Sequence, residues 1–143
     1  MSHPGAMSVA ERDAFLADVH VGVLSIDEPG RGPMSVPIWY EYEDGKVLMG
    51  ILGTSLKGRL LRAAGRATLV AQTEAPPYRY VSIEGPVTVE TGTHRDDLSM
   101  ATRYLGEAMG KWYVENNPST SQSALVTLTP EHWRTMDFGK LMR

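Results

Sequence analysis

Residues 20–51 commit the chain to antiparallel β structure, because they hold strand-like runs separated only by tight turns. His20–Asp27 (HVGVLSID) alternates in polarity and is rich in β-branched residues. Glu28-Pro-Gly-Arg-Gly-Pro33 is a turn by composition. Met34–Tyr42 (MSVPIWYEY) places Val36, Ile38, Tyr40 and Tyr42 on one face and Pro37, Trp39 and Glu41 on the other. Glu43-Asp44-Gly45 closes a hairpin, since Asp-Gly reaches positive φ at little cost, and Lys46–Ile51 (KVLMGI) returns as a third strand. Together these predict an antiparallel meander.

The flanking segments extend the pattern. Ser8-Val-Ala-Glu11 is a capping box that opens a helix over 9–18, with Val9, Phe15, Leu16 and Val19 as its apolar stripe. Residues 56–64 (LKGRLLRAA) read as a second helix with Gly65 at its end. Strands follow at Thr68–Gln72 and at Tyr78–Glu90, the latter broken at Gly85-Pro86, where a bulge or barrel corner is expected. His94–Met109 reads as a helix with Leu98, Ala101, Leu105 and Ala108 inward, and Lys111–Pro118 as an irregular aromatic loop. Ser123–Thr129 is a sixth strand and His132–Phe138 a seventh. Six to seven short antiparallel strands with accessory helices predict a mainly β fold, a small barrel that closes to remove exposed edges. With 143 residues, 42% hydrophobic and 22% charged, one domain over 8–143 is expected. The first seven residues lack periodicity and are read as a disordered tail or an expression remnant.

Composition removes several chemistries. Without cysteine there is no disulfide scaffold, thiol nucleophile or zinc–thiolate site. A net charge of −3 argues against nucleic acid as a partner. No apolar run approaches the ~20 residues of a membrane helix, so a cytoplasmic protein without a membrane partner is expected. The four histidines (His3, His20, His94, His132) lack metal-ligand spacing, and there is no nucleophile elbow, Walker motif or GxGxxG. An enzyme of this composition borrows its reactivity from a cofactor.

The charge distribution is more specific. Residues 47–73 carry Lys57, Arg59, Arg62 and Arg66 and no acid. Gly53-Thr54-Ser55 precedes them at a predicted helix N-terminus, where free N–H groups and the helix dipole favour a phosphate. Thr54 and Ser55 add hydroxyl donors, and Lys57 and Arg59 add charge. The alternative is that the cations form an ordinary solvated helix face, and Arg62 and Arg66 are assigned to surface or structural roles. Trp39 lies opposite Ile38 and Tyr40, suited to cover a flat ring, line a subunit interface or fill a core. Arg79 either reaches a phosphate or pairs with a carboxylate such as Glu84. Trp112 and Tyr113 either line a pocket mouth or plug a barrel end.

The order of these motifs resembles a known family. Pro37-Ile-Trp-Tyr40, Asp44-Gly45, Thr54-Ser-Leu-Lys57 with Leu60 and Leu61, and Tyr80-Val-Ser-Ile-Glu-Gly85 are similar to the pyridoxamine 5'-phosphate oxidase-like FMN-binding split β-barrel superfamily. The flavin/deazaflavin oxidoreductases are the nearer type, and Trp133–Leu141 resembles the last strand of some of them. The resemblance spans roughly residues 8–141. It implies a homodimer that binds FMN or coenzyme F420 in a groove at the subunit interface. It places Lys57 at the cofactor phosphate, Thr54 and Ser55 in the turn beside it, and Pro37, Ile38 and Trp39 against the ring. Arg59 falls at a second basic contact, and Tyr78, Arg79 and Trp112 are pocket residues. The chain has Arg59-Leu-Leu61 where the family often has Arg-Asn-Leu. It ends in Lys140-Leu-Met-Arg143 without the Arg-rich substrate-phosphate motif, which argues against vitamin B6 oxidation.

The implied function is an oxidoreductase passing hydride between FMN or F420 and a small planar substrate. The competing reading is a non-catalytic carrier of flavin, F420 or a haem-like ligand.

Overall fold

A computed structural model describes residues 3–93 and 97–143. Helix α1 (Val9–Ala17) opens the fold with the predicted capping box, Ser8 Oγ accepting from Glu11 N and Glu11 Oε1 from Ser8 N. Strands β1 (Gly22–Ile26), β2 (Met34–Ile38), β3 (Glu41–Glu43) and β4 (Lys46–Leu52) follow. Helix α2 (Leu56–Ala64) leads to β5 (Arg66–Gln72) and β6 (Arg79–Thr91). Helices α3 (Asp97–Leu105) and α4 (Glu107–Asn116) precede β7 (Ser123–Leu128) and β8 (His132–Asp137), and a 3-10 turn over Phe138–Met142 ends the chain. No helix among the described residues is long and apolar enough to cross a membrane.

The strands run in the order β2-β1-β5-β6-β7-β4-β3, with β8 also on β6, and every pairing is antiparallel. No ladder joins β2 to β3 among the described residues, so the curled sheet stays open there as a split barrel. Strict alternation fills its interior. Leu24 and Ile26 of β1, Leu69 and Ala71 of β5, Val81 and Ile83 of β6, Val47 and Met49 of β4, and Val126 and Leu128 of β7 are all buried. Leu16 of α1 and Leu61 of α2 close the ends.

Eight strands form where six to seven were expected, because Met34–Tyr42 is not one strand. Tyr40 leaves the ladder and bonds to α3 instead. Its N–H donates to the Tyr104 hydroxyl at 3.0 Å, and that hydroxyl lies 3.0 Å from Tyr40 O and 2.7 Å from His20 O, donating to one of them. The buried Tyr40 ring turns inward, its hydroxyl donating to Leu16 O.

The helical region differs more. Residues 94–96 of the expected helix lie outside the described residues. Beyond them the helix stops at Leu105, and Gly106 at φ 84 starts a new one. The stretch 111–118, expected as an aromatic loop, is helical through Asn116. Gly110 permits this, because a Cβ there would press on Thr102 backbone at 2.9 Å, so α4 folds back closely on α3. Ala101 is buried as expected, whereas Leu98 and Ala108 are exposed, since α3 and α4 lean on each other more than on the barrel. Val9 and Val19 of the expected α1 stripe are exposed too.

Strand β6 carries the corner expected at Gly85-Pro86. Its first half pairs with β5 and β8, and its second half with β7. Between the pairs Glu84↔His132 and Val87↔Leu128, three steps on β6 oppose four on the other run, which is a one-residue bulge. The bulge drives the Thr129 carbonyl onto Gly85, where a Cβ would collide with it.

Residues 3–7 run against β8. Asp137 N donates to Gly5 O at 2.7 Å, Met7 N to Thr135 Oγ1 at 2.9 Å, and Lys140 Nζ to Ala6 O at 2.9 Å. Lys140 Nζ also lies 2.7 Å from Glu11 Oε1, and this bond together with Ser8 N holds the Glu11 carboxyl down at about 2.

Two outcomes follow. Gly85→Ala destabilises the fold by ~1–3 kcal/mol or more, measured by urea unfolding, because Cβ and a backbone carbonyl compete for one space. For Glu11 the lowered native value means its contribution is complete above the ordinary 4.5 and fades as pH falls toward 2. Glu11→Gln therefore flattens the stability profile across that window, read from thermal melts between those pH values.

Candidate functional site

The gap between β2 and the far half of the sheet is a cleft of about 690 Å3. Pro37, Ile38 and Trp39 form one wall, Gly50, Ile51 and Leu52 the floor, and Met100, Tyr113 and Val114 of α3 and α4 the opposite wall. Trp39 is half-buried and stacked nearly parallel on Tyr104, with centroids 5.0 Å apart and an interplanar angle of 4°. Tyr113 tilts against it at 5.4 Å. This aromatic group shapes an apolar slot. Polar atoms reach it from Asp97, Asn117, Ser119 and Ser123.

The floor contains a gap that sequence reasoning missed. Gly50 lies mid-strand in β4, lines the cleft, and would meet nothing within 4 Å if it carried a Cβ. Backbone is thus bare on the floor of the cleft. A glycine inside a strand pattern was the available signal, since it often marks close backbone approach.

Strand β4 runs from this floor directly into Gly53-Thr54-Ser55 and the N-terminus of α2. Ser55 caps the helix, its Oγ accepting from Gly58 N at 3.2 Å. Gly58 lets the turn fold tightly, since a Cβ there would press on Gly53 O at 2.6 Å. Geometry leaves the amides of Leu56 and Lys57 without intrahelical acceptors. Thr54 and Arg59 are exposed and Lys57 half-buried. The other two cations of the stretch are occupied. Arg62 donates to Gly53 O at 2.7 Å and to Thr91 Oγ1 at 2.6 Å, bracing the turn from behind. Arg66 pairs with Glu131 at 2.7 Å and Glu84 at 3.6 Å, which hold its guanidinium above its ordinary value.

Thr54, Ser55, Lys57 and Arg59 lie outside the cleft lining, as do the remaining sequence-predicted residues Tyr78, Arg79 and Trp112. Arg79 sits over Phe15 at 5.2 Å with its N–H donating to Thr73 Oγ1, while Glu84 pairs with Arg66 and His132 instead. Trp112 is 61% exposed on α4, and its neighbour Tyr113 faces the cleft in its place. Tyr78 is exposed where the chain enters β6. A second cleft lies beyond β2, lined in part by Val19, Val21, Val23, Pro37 and His20. His20 stacks on Phe15 at 4.2 Å, and burial pushes its pKa down, which keeps the imidazole neutral at pH 7. No group of acids and histidines able to hold a metal exists among the described residues.

Comparison with known proteins agrees with this architecture. The family profile of pyridoxamine 5'-phosphate oxidase matches residues 9–137. No curated protein sequence matches the chain. A conserved hypothetical protein from Mycobacterium tuberculosis superposes with a TM-score of 0.82 at 24% identity, covering 99% of this chain and 92% of that one. An FAD-binding protein from Mesorhizobium loti gives 0.65 at 16% identity, over 90% of this chain and 94% of that one. A protein named F420 reductase gives 0.61 at 16% identity, over 85% and 94%. These structures share the fold, and the profile match runs from α1 to the end of β8. The chain belongs to the pyridoxamine 5'-phosphate oxidase family.

Proposed function

We propose that the cleft binds FMN or coenzyme F420 and that the protein is an oxidoreductase acting on a small planar substrate. One observation carries this reading: β4 links a bare, aromatic-walled floor at Gly50 directly to a helix N-terminus bearing Thr54, Ser55, Lys57 and Arg59. A flat ring and a phosphate, the two parts of such a cofactor, need those two surfaces side by side. The family membership and the FAD- and F420-named structural neighbours support it.

When bound, the cofactor supplies hydride transfer, and the protein positions the reactants. Pro37, Ile38 and Trp39 would lie along the ring, and the Tyr104 stack fixes the Trp39 plane. Lys57 and the α2 amides would neutralise phosphate charge, with Arg59 as a second cation. Tyr113, Met100 and Val114 narrow the slot and exclude water. The same reading includes a cytoplasmic homodimer whose groove lies between subunits. The exposed Val19, Val21 and Val23 beside Pro37 support self-association. A carrier without turnover is the second reading. It is favoured by a cleft lining whose acid–base groups, among the described residues, are Asp97 and Tyr113.

Titrating the purified protein with FMN, FAD and F420, followed by absorbance and fluorescence, is the direct test. Saturable binding of FMN or F420 supports the proposal, and binding of neither refutes it. Turnover with reduced cofactor and a panel of acceptors separates enzyme from carrier. Lys57→Ala weakens the cofactor by ~1–3 kcal/mol, the scale of a charged hydrogen bond, and unchanged affinity would remove Lys57 from the site. Gly50→Leu projects a side chain into open space, so the melting temperature holds while cofactor affinity drops at least tenfold (~1.4 kcal/mol).

A further inference from the structure

A separate cavity of about 340 Å3 lies between the N-terminal segment, α1 and β8, and shares no lining residue with the cleft. Its wall includes His3, Arg12, Arg134, Trp133 and Thr135 and, among the described residues, no Asp or Glu. Arg12 is held over the Trp133 ring, its guanidinium carbon 3.9 Å from the centroid. Among the described residues its Nε has no hydrogen-bond partner and is closed to solvent, so the terminal amino groups of the guanidinium are the ones a ligand in the cavity would meet. Four carboxylates on the elements around it have other partners. Glu11 takes Lys140 at 2.7 Å, Asp13 accepts from the Tyr42 hydroxyl at 2.7 Å, Asp137 caps Gly139 N at 2.9 Å, and Glu84 pairs with Arg66. Thr135 Oγ1 accepts from Met7 N, which leaves its own proton to donate.

A stacked guanidinium keeps its N–H edge in a fixed plane, which suits the paired oxygens of a carboxylate or phosphate. Stacking also restrains the side chain, so less freedom is lost when a ligand arrives. The cavity sits at the small end of the ~300–1,000 Å3 range of ligand sites, and so admits a compact molecule only. We propose that this cavity binds a small oxyanion, with Arg12 as the principal contact, Arg134 and His3 at its rim, and Trp133 orienting the guanidinium.

The test is NMR on the full-length 15N-labelled chain, titrated at constant ionic strength with inorganic phosphate and, separately, with benzoate. The Trp133 indole N–H and the Arg12 Nε–H are the reporters. Saturable shifts of both are expected. Saturation by phosphate alone assigns a phosphate-bearing ligand, and saturation by benzoate alone a carboxylate. Arg12→Gln weakens the effective anion by at least about tenfold, and Arg12→Lys, which keeps the charge and loses the planar fork, weakens it too. Linear, unsaturated shifts with both anions, equal shifts with chloride, or unchanged affinity in Arg12→Gln would overturn the proposal. If the amide spectrum shows that the Arg12 variants do not fold, the exposed Arg134→Gln decides, with weaker binding expected and unchanged binding refuting.

Discussion

Everything in this fold hangs on one strand serving two sheets. Strand β6 pairs with β5 and β8 up to Gly85-Pro86, and with β7 beyond it. Proline lacks an N–H, so Pro86 sits where the chain leaves one ladder and has no donor to lose. Glycine lacks a Cβ, so Gly85 takes the Thr129 carbonyl that the bulge pushes against it. The change of direction carries β7 to β4, and β4 alone connects the cleft floor to the α2 N-terminus. A straight β6 would leave a flat sheet, with ring-sized and phosphate-sized surfaces on unrelated faces.

The split is closed by a side chain where a ladder is missing. The Tyr104 hydroxyl accepts from the Tyr40 N–H and gives its one proton to Tyr40 O or to the closer His20 O, so part-buried backbone groups at the end of β2 are answered without a neighbouring strand. This lets Trp39 stand out of the sheet plane and stack on the same Tyr104 ring. Arg103, the residue before Tyr104 in α3, donates to Ala17 O at 3.0 Å and Asp18 O at 2.6 Å, fastening the same helix to the end of α1. The cleft wall is thus held by α3 rather than by the barrel.

Local signals made most of the barrel legible in the sequence. Alternation, the Asp44-Gly45 turn, the Ser8 capping box and the Gly65 cap each act within a few residues, and each appears where its chemistry requires. The α3–α4 hairpin was illegible for the opposite reason. Gly106 and Gly110 look alike as residues, yet one breaks a helix at φ 84 while the other allows helix–helix contact inside one. Only the position of Thr102 in space separates these roles. Gly50 was overlooked because its contribution to the cleft is an absent side chain, which carries no chemical signature in a sequence.

The basic stretch 47–73 shows the same division between composition and place. Its four cations are equivalent by count, but Arg62 and Arg66 find partners 29 and 65 residues away and are spent on structure. Arg62 braces the Gly53 carbonyl and so sets the turn that aims the α2 amides. Lys57 and Arg59 carry no such tether among the described residues, and they sit in the first turns of α2, just after the floor strand. A phosphate arriving there would therefore meet charge that the fold has positioned and not consumed. The separate Arg12 cavity follows the same logic, since its cation is stacked on Trp133 while nearby carboxylates answer Lys140 and Tyr42. In a chain whose net charge is −3, the cations open to an anion are those that the acids leave alone.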